Sequence, residues 1–120
     1  MENSRDYLDS EIIDQLKGLA EDDKEFIQNL FDTFKTNASM HLDSLKLQVR
    51  DENYDSLKRS AHQLKGCSAN MGAKRLQQLC AKLEGEIKEQ ETGQIPKTIN
   101  NIEFAFQSSL LTLKEVFEIP

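Results

Sequence analysis

Apolar residues recur every three or four positions along almost the whole chain, the spacing that lines one face of an α-helix. Leu8, Ile12, Ile13, Leu16 and Leu19 predict a short first helix over residues 9–19, with Ser10 as its cap and Gly18 weakening its end. Asp22 or Asp23 then caps a long helix over 23–50, whose stripe is Phe26, Ile27, Leu30, Phe31, Phe34, Ala38, Leu42, Leu45 and Val49. At ~1.5 Å per residue this element is roughly 40 Å long, the length of a bundle's spine. The polar run Asp51, Glu52, Asn53 separates it from a third helix over 54–69, carrying Leu57, Ala61, Leu64 and Ser68. Asn70, Met71 and Gly72 interrupt the pattern before a fourth helix over 73–91, with Ala73, Leu76, Leu79, Cys80, Leu83 and Ile87 as its stripe. After Thr92, Gly93 and Pro96, a last helix over 97–118 places Ile99, Ile102, Phe106, Leu110, Leu113 and Phe117 on one side. Short links between helices of similar length imply antiparallel neighbours. The expected fold is all-α, an antiparallel up-and-down four-helix bundle with an extra short N-terminal helix, in one domain over 1–120.

Composition agrees with helices and narrows the function. Pro96 and Pro120 are the only prolines, so nothing breaks a helical pattern before residue 96. The apolar fraction is 38%, supplied mainly by Leu, Ile and Phe, whereas a β sandwich would need more Val, Thr and Tyr. A formal charge of −6 repels polyanions, which argues against nucleic acid or an anionic membrane as a general partner. No apolar run spans a bilayer, and the opening MENSRDYLDSE lacks the basic and apolar regions of a secretory signal; the expectation is a cytoplasmic monomer. Cys67 and Cys80 have no metal or redox spacing and read as packing residues. His41 lies at the edge of the long helix's stripe and reads as a partly buried packing residue. Neither His41 nor His62 has the spacing of a metal-binding helix, so no metal site is expected.

His62 is the informative position. At ~100° per residue it falls roughly 130° from the centre of the third helix's apolar stripe, facing water. Lys58, Lys65 and Gly66 are its neighbours at four before, three after and four after. A glycine inside a regular helix costs about 1 kcal/mol against alanine, so Gly66 asks for a reason. Clearing room for a bulky group to reach the imidazole is one, with Lys65 set where a transferred anion would sit. An imidazole titrating near pH 6.5 is largely neutral and nucleophilic in the cell, suited to accepting and passing on a phosphoryl group. A solvated helix face carrying His and Lys is the plainer reading of the same spacing.

The run from Ala61-His62-Gln63-Leu64-Lys65-Gly66-Cys67-Ser68-Ala69-Asn70-Met71-Gly72-Ala73 through Leu76, Leu79, Cys80, Leu83 and Glu84 resembles the signature of histidine-containing phosphotransfer (HPt) domains. The lead-in from Ile12 to Phe34 is similar to the family as well. The resemblance implies a helical bundle, His62 as the phosphorylated residue, with Nε2 as the acceptor nitrogen, Lys65 as the phosphate-stabilising cation and Gly66 as the clearance. Related domains often carry a glutamine where Glu84 stands, holding the other ring nitrogen. Reflecting His62 through a turn near Met71 lands on Cys80, one helical turn short of Glu84, so the spacing only partly supports that pairing.

Charge is distributed in two halves. From Lys58 to Lys88 seven cations face only Glu84 and Glu86, a net +5 that leaves −11 for the rest of the −6 chain. Lys58, Arg59 and Lys88 therefore form a basic flank suited to an acidic partner site. Ile12, Ile13 and Leu16 span more of the first helix than one neighbour covers and are expected to form an apolar docking patch. What the resemblance implies is a phosphorelay intermediate. Its partners would be a hybrid sensor histidine kinase and response-regulator receiver domains, and the chain would need no cofactor of its own because the receiver supplies Mg²⁺. No G-x-x-x-x-G-K-[ST] loop is present, which argues against autonomous kinase activity. The alternative is a helical adaptor without chemistry, binding through the same surfaces.

Overall fold

The computed structural model describes residues 7–120; the opening stretch Met1 to Asp6, part of the segment read as lacking a signal, lies outside the described residues. The elements are α1 (Ser10–Ala20), α2 (Lys24–Arg50), α3 (Tyr54–Met71), α4 (Lys74–Lys88) and α5 (Ile95–Val116), with a 3₁₀ turn, Thr92–Gln94, before α5. No strand occurs among the described residues. α2 packs on α3, α3 on α4 and α4 on α5, and α5 returns to α2, closing a four-helix bundle. Late residues of α5 meet early residues of α2: Lys114 lies over the Phe31 ring, Phe106 against Phe34, and Glu103 pairs with Lys46 at 2.7 Å. That descending order makes α2 and α5 antiparallel.

Side-chain caps set the starts of the first three helices. Asp9, rather than Ser10, caps α1, its side chain accepting from the Glu11 and Ile12 amides. Ser10 already lies inside the helix, where its side chain cannot reach forward to those amides. Asp23 caps α2 and Asn53 caps α3 in the same way, contributing about 1 kcal/mol each. Gly18 sits within α1, which ends instead at Glu21 in the left-handed region, φ 45°. α5 starts two residues before the expected position because Pro96, with no amide to donate, is at ease in a first turn whose amides have no intrahelical partner.

The core is built from the expected stripes. Phe31, Phe34, Leu42 and Leu45 of α2 meet Leu57, Ala61 and Leu64 of α3, Leu76, Leu79, Cys80 and Leu83 of α4, and Ile99, Ile102, Phe106 and Leu113 of α5, all buried. Phe26 departs from its stripe and is exposed. α2 has 27 residues against 18 in α3, so the first turns of α2 run past the end of its neighbour and Phe26 is only partly covered there. Its place at the overhang bears on the site described next.

α1 closes the end of the bundle at the α3–α4 turn. The Asp9 amide donates to the Gly72 carbonyl at 2.7 Å, and Gly72 takes φ 77°, a conformation that only glycine adopts without strain. A Cβ there would lie 3.2 Å from both Ile12 Cγ2 and Ile13 Cδ1. Ile13 is thus 6% exposed and part of the core, which corrects its expected place in a docking patch: packing over the turn consumes the face that periodicity left unassigned. Ile12 and Leu16 are half-buried beside it.

Candidate functional site

His62 projects from the middle of α3 with its side chain 71% exposed, away from Ala61 and Leu64, which are fully buried. Its Nδ1 lies 3.5 Å from Oε2 of Glu84 on α4, and Oε1 of the same carboxylate lies 2.8 Å from Nζ of Lys65, one turn beyond His62. Glu84 is 18% exposed and Lys65 30%, so the imidazole stands in water on a half-sunken ion pair. Oε1 is closed off from solvent and has no aligned hydrogen-bond donor, so its contact with Lys65 is a charge pair rather than a directed hydrogen bond. Gly66, at the next turn, has no atom of another element and no side chain beyond its immediate neighbours within 4 Å of where a Cβ would sit. The fold therefore has no packing need for a glycine there. Gly18, Gly85 and Gly93 share that openness, but Gly66 alone stands one turn from His62 on its own helix.

Glu84 meets the ring because of where the chain turns. α3 ends at Met71 and α4 begins at Lys74, so the pivot lies at Gly72 and Ala73. Reflection through residue 73 carries position 62 onto 84, whereas reflection through Met71 lands on Cys80. Cys80 is instead fully buried in the core, and Cys67 is half-buried; both are free thiols. Lys58, Arg59 and Lys88 are exposed on the same two helices as His62 and Glu84.

A groove of about 570 Å³ runs between α2 and α3 beside this face. Phe26, Leu30, Phe34, Cys67 and Met71 give it an apolar floor, and Asn29, Asn37, Gln63 and Asn70 a polar rim. His41 lines it half-buried, and loss of hydration lowers the pKa of that imidazole. Leu19 of α1 is 73% exposed. The sequence reading missed Leu19 and Phe26 as surface residues because each fits its helix's apolar spacing; only the relative lengths and placement of the helices show that no neighbour fully covers them.

The Hpt domain family model matches residues 29–116. This chain belongs to the Hpt domain family. Its fold superposes on the crystal structure of histidine-containing phosphotransfer protein B from Pseudomonas aeruginosa PAO1 with a TM-score of 0.83 and 29% identity, covering 93% of this chain and 95% of that one. A rice protein assigned as a histidine-containing phosphotransfer protein gives the same TM-score at 18% identity, over 96% and 82% of the two chains, a likeness of fold. Among curated proteins none matches this chain.

As a member of the Hpt domain family the chain is a histidine phosphotransfer protein. No helix among the described residues is long and apolar enough to cross a membrane. The fold turns the His62 imidazole outward at mid-helix, and it leaves the α2–α3 groove and Leu19 open to solvent.

Proposed function

We propose that His62 accepts a phosphoryl group from the aspartate of a receiver domain, as in a hybrid sensor histidine kinase, and gives it to the receiver of a response regulator. The observation that carries this reading is the exposed imidazole with Nδ1 turned to Glu84, which leaves Nε2 as the nitrogen for in-line attack. In that step the Nε2–P bond forms as the aspartyl P–O bond breaks. The carboxylate departs with the electron pair, and the proton on Nδ1 remains, so the ring carries the positive charge gained. Lys65 supplies a cation near the phosphoryl oxygens, and Gly66 leaves space for the partner's backbone to approach.

Among the described residues no group of three or more His, Cys, Asp or Glu side chains is placed to hold a metal ion, and we assign the Mg²⁺ of the reaction to the acidic receiver site. Lys58, Arg59 and Lys88 would face that acidic surface, while Leu19, Ile12, Leu16 and the α2–α3 groove would take the receiver's apolar contacts. The working form is a cytoplasmic monomer.

Incubation with a phosphorylated receiver tests the reading. Label on this chain that is lost in acid, kept in base and missing from His62→Gln supports it. Unchanged labelling of His62→Gln removes the site, and a His62→Ala chain that keeps its cellular function returns the protein to the adaptor reading.

A further inference from the structure

Lys65 does not stand free beside the imidazole: Glu84 holds its ammonium at 2.8 Å. The phosphoryl group that arrives on Nε2 brings two negative charges to a place where the cation is already engaged. Resting on the assignment of His62 as acceptor, we infer that Glu84 is a positioning residue that competes with the transferred phosphoryl group for Lys65. The competition biases the phosphorylation equilibrium toward the receiver.

Two end states bound the competition. If Lys65 stays with Glu84, the phosphoryl oxygens are answered by water rather than by that ammonium. If Lys65 swings to the phosphoryl group, Oε1 of Glu84 remains closed off from solvent with its ion-pair partner gone. A carboxylate in that position loses hydration without replacement. Either course raises the free energy of the phosphorylated chain relative to the free one.

The Glu84 contact with Nδ1 acts in the opposite sense, because transfer leaves the ring positive. That contact is the longer, 3.5 Å against 2.8 Å, and its ring is 71% exposed where Lys65 is 30% exposed. Water screens it more strongly, so the lysine pair dominates. In the balanced step the aspartyl P–O bond breaks, the Nε2–P bond forms and the proton stays on Nδ1; only the partner of Lys65 changes. Exchange of that partner makes this domain a ready donor to the next receiver.

The test equilibrates the full chain with one phosphorylated receiver domain and measures how the phosphoryl group divides between them. Wild type, Glu84→Gln, Lys65→Ala and the double variant are compared, with circular dichroism to establish that each keeps its helices. Glu84→Gln, nearly isosteric but uncharged, is expected to move the equilibrium toward the phosphorylated chain by about threefold to tenfold, the range for a partly screened ion pair. In the Lys65→Ala background the same change is expected to have little effect. The ¹⁵N resonance of the Lys65 ammonium is expected to move on phosphorylation of the wild type. Equal division in wild type and Glu84→Gln overturns the inference, and so does an equal shift with and without Lys65, which would mean direct repulsion. No label on any of the four proteins overturns the acceptor assignment and this inference with it.

Discussion

His62 on α3 and Glu84 on α4 meet at 3.5 Å because the turn between their helices pivots at Gly72 and Ala73. Gly72 holds φ 77° there, and its carbonyl takes the amide of Asp9, so the N-terminal helix fixes the pivot that aligns the site. The placement of the functional imidazole is thus a consequence of helix register, not of a loop.

The openness around Gly66 sets two effects of one substitution against each other. Gly66→Ala adds a methyl group that meets no atom of another element within 4 Å and improves helix propensity by about 1 kcal/mol. Thermal unfolding should therefore move up by a few degrees. Phosphoryl transfer from a receiver should nevertheless slow by about tenfold to a hundredfold, since the partner's approach to Nε2 is displaced. A variant both more stable and equally fast would show that the glycine has no part in transfer.

Much of this was legible in the sequence, and what was not has geometric reasons. The 100° step alone put His62 opposite Ala61 and Leu64, and the structure exposes it. The Glu84 contact was only half visible because an error of two residues in the pivot moves the reflected partner by four, a full helical turn. Phe26 and Ile13 exchanged roles for a related cause: periodicity tells which face of a helix is apolar, but not what stands opposite it. The overhang of α2 and the seat of α1 over Gly72 are properties of assembly.

Leu19 offers a surface test that leaves the core alone. Because its side chain is already exposed to solvent, Leu19→Glu should change stability by no more than about 0.5 kcal/mol. Affinity for a receiver should fall by about tenfold, as an apolar contact becomes a buried charge. Calorimetric titration reads the affinity directly; an unchanged value would place the docking surface elsewhere.

Burial pushes the Cys80 thiol up to about 12, with Glu84 and Cys67 adding to the rise and Lys65 opposing it. Above the ordinary thiol range the unfolded chain gives up this proton while the folded chain keeps it. The folded state then binds more protons, so the stability due to this group is full below pH 9 and falls as pH climbs toward about 12. Thermal unfolding followed from neutral to alkaline pH should show a steeper loss for wild type than for Cys80→Ala. The thiol should also resist alkylation until the bundle unfolds. Parallel curves for the two proteins would contradict the assigned environment.

The central claim is that the phosphoryl group travels on the imidazole at position 62. Mass spectrometry under alkaline conditions, after brief exposure to a phosphorylated receiver, locates the group on a single peptide. The account predicts phosphohistidine at His62, with loss of all label in His62→Gln and none at His41. A phosphoryl group found at His41, or on any residue of a chain still lacking His62, would contradict it.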